Sequence, residues 1–90
     1  DTEKIFDLKY EQFVRGIIIK KSSSEPNLAP LRCKIMTANN DNIYKTYTSN
    51  TVIRYQDGIR AKINLSLKAR YIKIVILAPE QVKYEFIKIY

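Results

Sequence analysis

Histidine and tryptophan are absent from these 90 residues, cysteine and methionine occur once each, and glycine occurs only twice. Without histidine, neither a Ser-His-Asp nor a Cys-His triad can be assembled, and tetrahedral Cys/His zinc sites are excluded as well. Gly16 and Gly58 alone cannot make a glycine-rich phosphate loop. The nine acidic residues sit singly in turns and at strand ends, with no apolar-flanked pair of the kind that glycoside hydrolysis holds about 5–9.5 Å apart. Catalysis, a metal and a cofactor are therefore not expected. Cys33 cannot form an internal disulfide, and its place within an alternating run makes it a small buried hydrophobe rather than a reactive thiol. No apolar run approaches the roughly 18 residues of a transmembrane helix, and no signal-like start is present. The chain begins at Asp1 with strand-like residues almost at once, a start that fits a removed leader or a piece cut from a longer protein.

What is present is a folded core. Hydrophobic residues make up 46% of the chain, and no repeat or low-complexity tract interrupts it, which describes one globular domain over residues 1–90. A domain of this size buries only about two-thirds of its unfolded surface, so its stability margin is narrow. A formal charge of +7 favours an anionic partner. Arg60 and Lys62, and Arg32 and Lys34, alternate with apolar residues at outward strand positions, where such side chains also discourage edge-to-edge association. The seven tyrosines are scattered rather than set in a ribonucleoprotein-type motif, so nucleic acid is not the expected partner.

Period-two patterns recur along the chain and no helical stripe persists, which gives an all-β class. The densest β-branched run, Ala69-Arg70-Tyr71-Ile72-Lys73-Ile74-Val75-Ile76-Leu77, puts Ile72, Ile74 and Ile76 on one face and Tyr71, Val75 and Leu77 on the other. With both faces covered, it reads as a central strand. Further strands are expected over Lys4–Leu8, Phe13–Lys21, Leu31–Thr37, Ile43–Thr48, Thr51–Tyr55, Ile59–Leu67 and Lys83–Tyr90. Gly16 marks a bulge or a close backbone approach. Asn39–Asn42 closes a hairpin as an Asx-type turn, and Asp57-Gly58 carries a second hairpin signal. A calcium site from Asn39, Asp41 and Asn42 is the alternative reading of the first turn. From Ile59 onward Ala61, Ile63, Leu65 and Leu67 point inward, while Arg60, Lys62, Asn64 and Ser66 point outward. Seven or eight short strands with polar turns describe an antiparallel β-sandwich.

The order Ile5-Phe6-Asp7-Leu8, Phe13-Val14-Arg15-Gly16-Ile17-Ile18-Ile19, Leu31-Arg32-Cys33-Lys34-Ile35-Met36, Ala69-Arg70-Tyr71-Ile72-Lys73-Ile74, and Glu85-Phe86-Ile87-Lys88-Ile89-Tyr90 resembles the discoidin family. These are the coagulation factor V/VIII type C, galactose-binding-like jelly rolls. The resemblance covers essentially the whole chain, with the Ala-Arg-Tyr strand as its most specific part. It matches the C-terminal two-thirds of such a domain, so the resemblance implies a jelly roll lacking its N-terminal strands. Where the family often shows Ser-x-Asp-Gly, this chain has Thr37-Ala38-Asn39-Asn40-Asp41-Asn42. The terminal cysteines of many secreted members are missing too. The family's placement favours the extracellular side or cell surface, whereas a branch resembling the Doc-type subunits of ubiquitin-ligase assemblies implies an intracellular complex.

The resemblance implies a non-catalytic binding module of a larger protein, recognising glycans or an anionic cell-surface ligand through rim loops. The loop Ser22–Pro30 and the turn Pro79–Val82 are the candidate loops. Lys21, Ser23, Glu25, Asn27 and Gln81 supply donors and acceptors suited to a hydroxyl-rich or anionic ligand. Tyr84 and Phe86 are expected in the core rather than as stacking platforms. The alternative is a structural protein–protein interaction subunit, docked through a sheet face and an edge that a protein partner completes or covers.

Overall fold

The computed structural model describes residues 2–22, 31–40, 43–55, 60–77 and 84–90. Five strands account for nearly all of them: β1 (Thr2–Lys21), β2 (Leu31–Asn40), β3 (Ile43–Ile53), β4 (Arg60–Ile76) and β5 (Tyr84–Ile89). All pairings are antiparallel and the order is β3-β2-β4-β1-β5, so the Ala69–Leu77 run does lie in a central strand. No helix long and apolar enough to cross a membrane is found among the described residues.

Three pairs of expected strands are fused. Lys4–Leu8 joins Phe13–Lys21 as β1, Ile43–Thr48 joins Thr51–Tyr55 in β3, and Ile59–Leu67 joins the central run as β4. The polar interruptions between them are irregularities within strands rather than chain reversals. A straight 20-residue strand would run about 66 Å at ~3.3 Å per residue, yet the longest dimension of the molecule is 37 Å. β1 and β4 therefore bend, and they bend where their shared ladder slips. Between the Asp7–Tyr71 and Gln12–Ala69 pairs, β1 has four residues against one on β4; a second slip follows Val14. At the first slip Lys9 adopts φ 77°, a left-handed conformation that costs a side-chain-bearing residue roughly 1 kcal/mol. The Asp7 carboxylate accepts the Lys9 N–H at 2.8 Å, and Gln12 Nε2 donates to the Leu8 carbonyl at 2.6 Å, which stabilises the excursion.

Folding at these bulges turns one hydrogen-bonded sheet into two facing layers. The first half of β1 and the second half of β4 continue into β2 and β3; the second half of β1 and the first half of β4 continue into β5. Ile72, Ile74, Ile76, Cys33 and Ile35 from one layer meet Ile17, Ile19, Ala61 and Ile63 from the other in a single buried cluster. Each large aliphatic side chain so buried contributes about 1.5–3 kcal/mol. This is the expected all-β antiparallel sandwich. The inward and outward sets of β4 also agree with the alternation, with Ala61 and Ile63 buried, Leu65 and Leu67 half-buried, and Arg60, Lys62, Asn64 and Ser66 exposed. Its inward parity changes between Ala69 and Ile72, at the bend.

The far face of the central run is half-covered rather than closed. Tyr71 lies 4.8 Å beneath the Arg70 guanidinium, and the Lys73 ammonium sits 4.3 Å from the Tyr44 ring centroid and 3.6 Å from Glu3. Gly16 fulfils both of its expected roles. It flanks the second slip, and its backbone is hydrogen-bonded with that of Tyr90.

The Asp57-Gly58 hairpin expectation fails. The turn itself lies outside the described residues, but Ile53 pairs with Leu31 and Arg60 with Lys20, so β3 and β4 are not neighbours. Local turn chemistry loses here to the long β1–β4 ladder. The β2–β3 hairpin does form, with Asn40 opposite Ile43.

Candidate functional site

Because β1 folds back on itself, Thr2 and Lys21 come to the same end of the sandwich, together with Ile76, the start of β2 and the start of β5. The connections β1–β2, β3–β4 and β4–β5 all leave the described strands here. This loop end is where the candidate rim residues belong. Ser23, Glu25, Asn27 and Gln81 lie outside the described residues, as do most of Ser22–Pro30 and all of Pro79–Val82.

Lys21 is described, and its position differs from that of a solvent-facing rim donor: its relative exposure is 0%. Inward parity on β1 runs Ile17, Ile19, Lys21, so the lysine continues the core-facing set. Its Nζ has no hydrogen-bond partner among the described residues and lies 4.8 Å from the Tyr55 ring centroid. A cation over a phenol face gains about 0.5–2 kcal/mol, which offsets only part of the cost of removing an ammonium from water. Tyr84 pairs with Lys21 across the β1–β5 ladder, and its side chain hydrogen-bonds Tyr55. Burial pushes the Tyr55 phenol up, and the Tyr84 hydrogen bond opposes that shift. Lys21, Tyr55 and Tyr84 thus form a polar floor beneath the loop end, with one buried positive charge.

Sequence reasoning picked out Lys21 but missed the tyrosines that hold it. Tyr84 packs against the core cluster as expected. Phe86 does not: it is 38% exposed, on the outer face opposite Lys20, whose ammonium lies 5.9 Å from its ring centroid and 3.3 Å from Glu85. Cys33 is fully buried, and desolvation pushes its thiol up to about 11. At the β2–β3 turn, Asn39 Oδ1 already accepts the Arg70 N–H at 3.2 Å, while Asp41 and Asn42 lie outside the described residues. Among the described residues no cluster of His, Cys, Asp or Glu could hold a metal ion.

No family model and no curated protein matches the chain. One solved structure does, "CpGH89CBM32-6 produced by Clostridium perfringens", with a TM-score of 0.70 at 20% identity, over 98% of this chain and 67% of that one. At that identity the likeness is one of fold: an antiparallel β-sandwich jelly roll.

Proposed function

We propose that this chain is a non-catalytic binding module that recognises a glycan or an anionic cell-surface ligand through its loop end. The observation that carries the reading is Lys21, a buried ammonium with no hydrogen-bond partner among the described residues, at the floor of that end. Buried charges are ordinarily paired, and a ligand carboxylate or sulfate, or a sugar hydroxyl, would supply the missing acceptor. The jelly-roll likeness to a carbohydrate-binding module supports the same class. Residues 1–90 form the module, with Ser23, Glu25, Asn27 and Gln81 as the loop contacts and Lys21 beneath them.

The experiment is a panel of immobilised neutral and acidic glycans, read at rising ionic strength, with two variants. S23A/E25A/N27A/Q81A should lose binding while still folding. Lys21→Met should melt no lower than the parent, because it removes a desolvated charge and keeps the apolar stem, yet it should bind acidic glycans less well. Binding that survives both variants would overturn the reading.

A second reading, a protein-interaction subunit, is favoured by one observation. The edge strand β3 exposes Ile43, Tyr47 and Val52 at 65, 45 and 51%, the kind of surface that a partner's strand or side chains would cover. A partner complex of that sort should be insensitive to salt, whereas capture of an anionic ligand should weaken steeply.

A further inference from the structure

The opposite end of the sandwich, where β1 and β4 bend, carries a second surface. A depression of about 410 Å3 opens between the end of the β2–β3 hairpin and the Lys68–Ala69 stretch of β4, with Asn39, Asn40, Ile43, Lys45 and Lys68 in its lining. That volume falls within the ~300–1,000 Å3 typical of small-ligand sites. Its wall is tied to β4 by hydrogen bonds: Ala38 pairs with Tyr71 along the ladder, and the Asn39 side-chain Oδ1 accepts from Arg70 N.

Two features set the chemistry of an occupant. Phe13 lies directly across the ladder from Lys68, so the two side chains share a face, and the phenyl ring is 60% exposed. Neither Lys45 nor Lys68 forms an ion pair with a described residue, whereas Lys20, Arg70 and Lys73 each have a carboxylate. An exposed ring suits the apolar face of a pyranose, amides suit its hydroxyls, and ammonium groups without a carboxylate among the described residues suit a ligand carboxylate or sulfate. A polynucleotide would need cationic groups tracking several successive phosphates; here two lysines flank one hollow.

We infer that the depression at the bend binds an acidic saccharide, carboxylated or sulfated, as a site separate from the loop end. It does not depend on the loop-end reading, since no residue is shared between the two.

The test is an amide chemical-shift titration of the chain with a heparin-type sulfated tetrasaccharide, with cellotetraose as the neutral probe and a uridine oligonucleotide as the nucleic-acid probe. The tetrasaccharide should shift amides of residues 12–13, 37–40, 43–45 and 68–70 and leave Ser22 and Tyr84 unmoved. K45Q/K68Q should weaken it at least about tenfold, the scale of losing charge-assisted hydrogen bonds, and F13A should weaken it with an unchanged melting curve. S23A/E25A/N27A/Q81A should leave these shifts intact, so failure of the loop-end reading would be visible separately. The inference is overturned by shifts that are absent or confined to the loop end, by cellotetraose binding equally well, by tighter binding of the oligonucleotide, or by lysine variants without effect.

Discussion

Replacing Gly16 with alanine places a methyl group where there is no room for one. The added Cβ would lie 2.5 Å from Tyr90 Oη, 2.7 Å from Tyr90 Cζ and 2.7 Å from the Ile63 carbonyl oxygen. The tyrosine ring can swing away, since Tyr90 is 37% exposed. The carbonyl cannot, because Ile63 sits in the β1–β4 ladder opposite Ile17. Overpacking of this kind costs about 1–3 kcal/mol, and the lower entropy of an unfolded alanine returns about 0.4–1 kcal/mol. A net loss of about 1–2 kcal/mol remains, which at roughly 4–8 °C per kcal/mol for a domain of this size lowers Tm by about 5–15 °C. The damage should be local to begin with. Tyr90 N donates to Gly16 O at 3.0 Å, and Tyr90 O accepts from Arg15 N and Gly16 N at 2.7 and 3.1 Å, so β5 should loosen first. Calorimetry gives the Tm, and amide exchange across residues 84–90 gives the location. G16A/Y90A separates the two clashes: the second change relieves only the contacts to the ring, so destabilisation attributable to the Ile63 carbonyl must persist. A G16A protein that melts at or above the parent temperature would refute the close-approach account of this glycine.

Cys33 should resist a thiol reagent in the native state at pH 8, reacting only as fast as the chain unfolds, because it is buried and its thiol is pushed up from 9.0 to about 11. A raised native pKa favours the folded state below the unfolded value, so this contribution should vanish as pH climbs from about 9 to 11; prompt labelling at pH 8 would contradict the packing. Asp7 titrates in the opposite sense. Its carboxyl is held below 3.8, first by the Arg70 hydrogen bond and then by the Lys9 N–H, so its support for the bulge is present above that pH and lost as pH falls through the depressed value. Asp7→Asn should therefore flatten the acid limb of the stability–pH curve, and an unchanged limb would show that the pair is idle.

Alternation alone made the sandwich legible. The Ile72/Ile74/Ile76 and Ala61/Ile63 sets lie where period two puts them, and the branched density of the central run announces burial before any pairing is known. The same rule, carried two residues past Ile19, turns Lys21 inward; its charge argued for water, but parity won because β1 stays in the β4 ladder as far as Lys20 and pairs with Tyr84 of β5 at Lys21, the slip there falling on β5. What alternation could not convey is the slip count. Whether Lys9-Tyr10-Glu11 ends a strand or bulges within one depends on the partner across the ladder, and that partner, Ala69–Tyr71, is some 60 residues away in sequence. The exposed Tyr10 and Phe13 were missed for the same reason, since their side of the sheet is set by the three extra residues of the bulge. Asp57-Gly58 was a sound local signal overruled by non-local pairing. The rim loops belong to another category: their composition marks recognition-capable segments, but side chains without a repeating neighbour carry no periodic signal from which a position can be derived.

The two ends of the molecule differ because they are made in different ways. At the loop end the described strands terminate, β1 at Lys21, β3 at Ile53 and β4 at Ile76. At the bend, the surface is the ladder itself. Lys68 and Ala69 are held opposite Phe13 and Gln12, and the hairpin wall is tied to β4 at Ala38 and Asn39. A ligand there meets backbone already ordered by folding and pays little conformational entropy on arrival. The same rigidity has a cost. The bend exists only because β1 carries extra residues and Lys9 accepts a left-handed backbone, so a change that removes the slip would also flip the inward parity of one half of β1 and expose its branched face to water. Stability and the shape of the bend surface are therefore coupled through Asp7 to Gln12, whereas the loop end is free of that coupling.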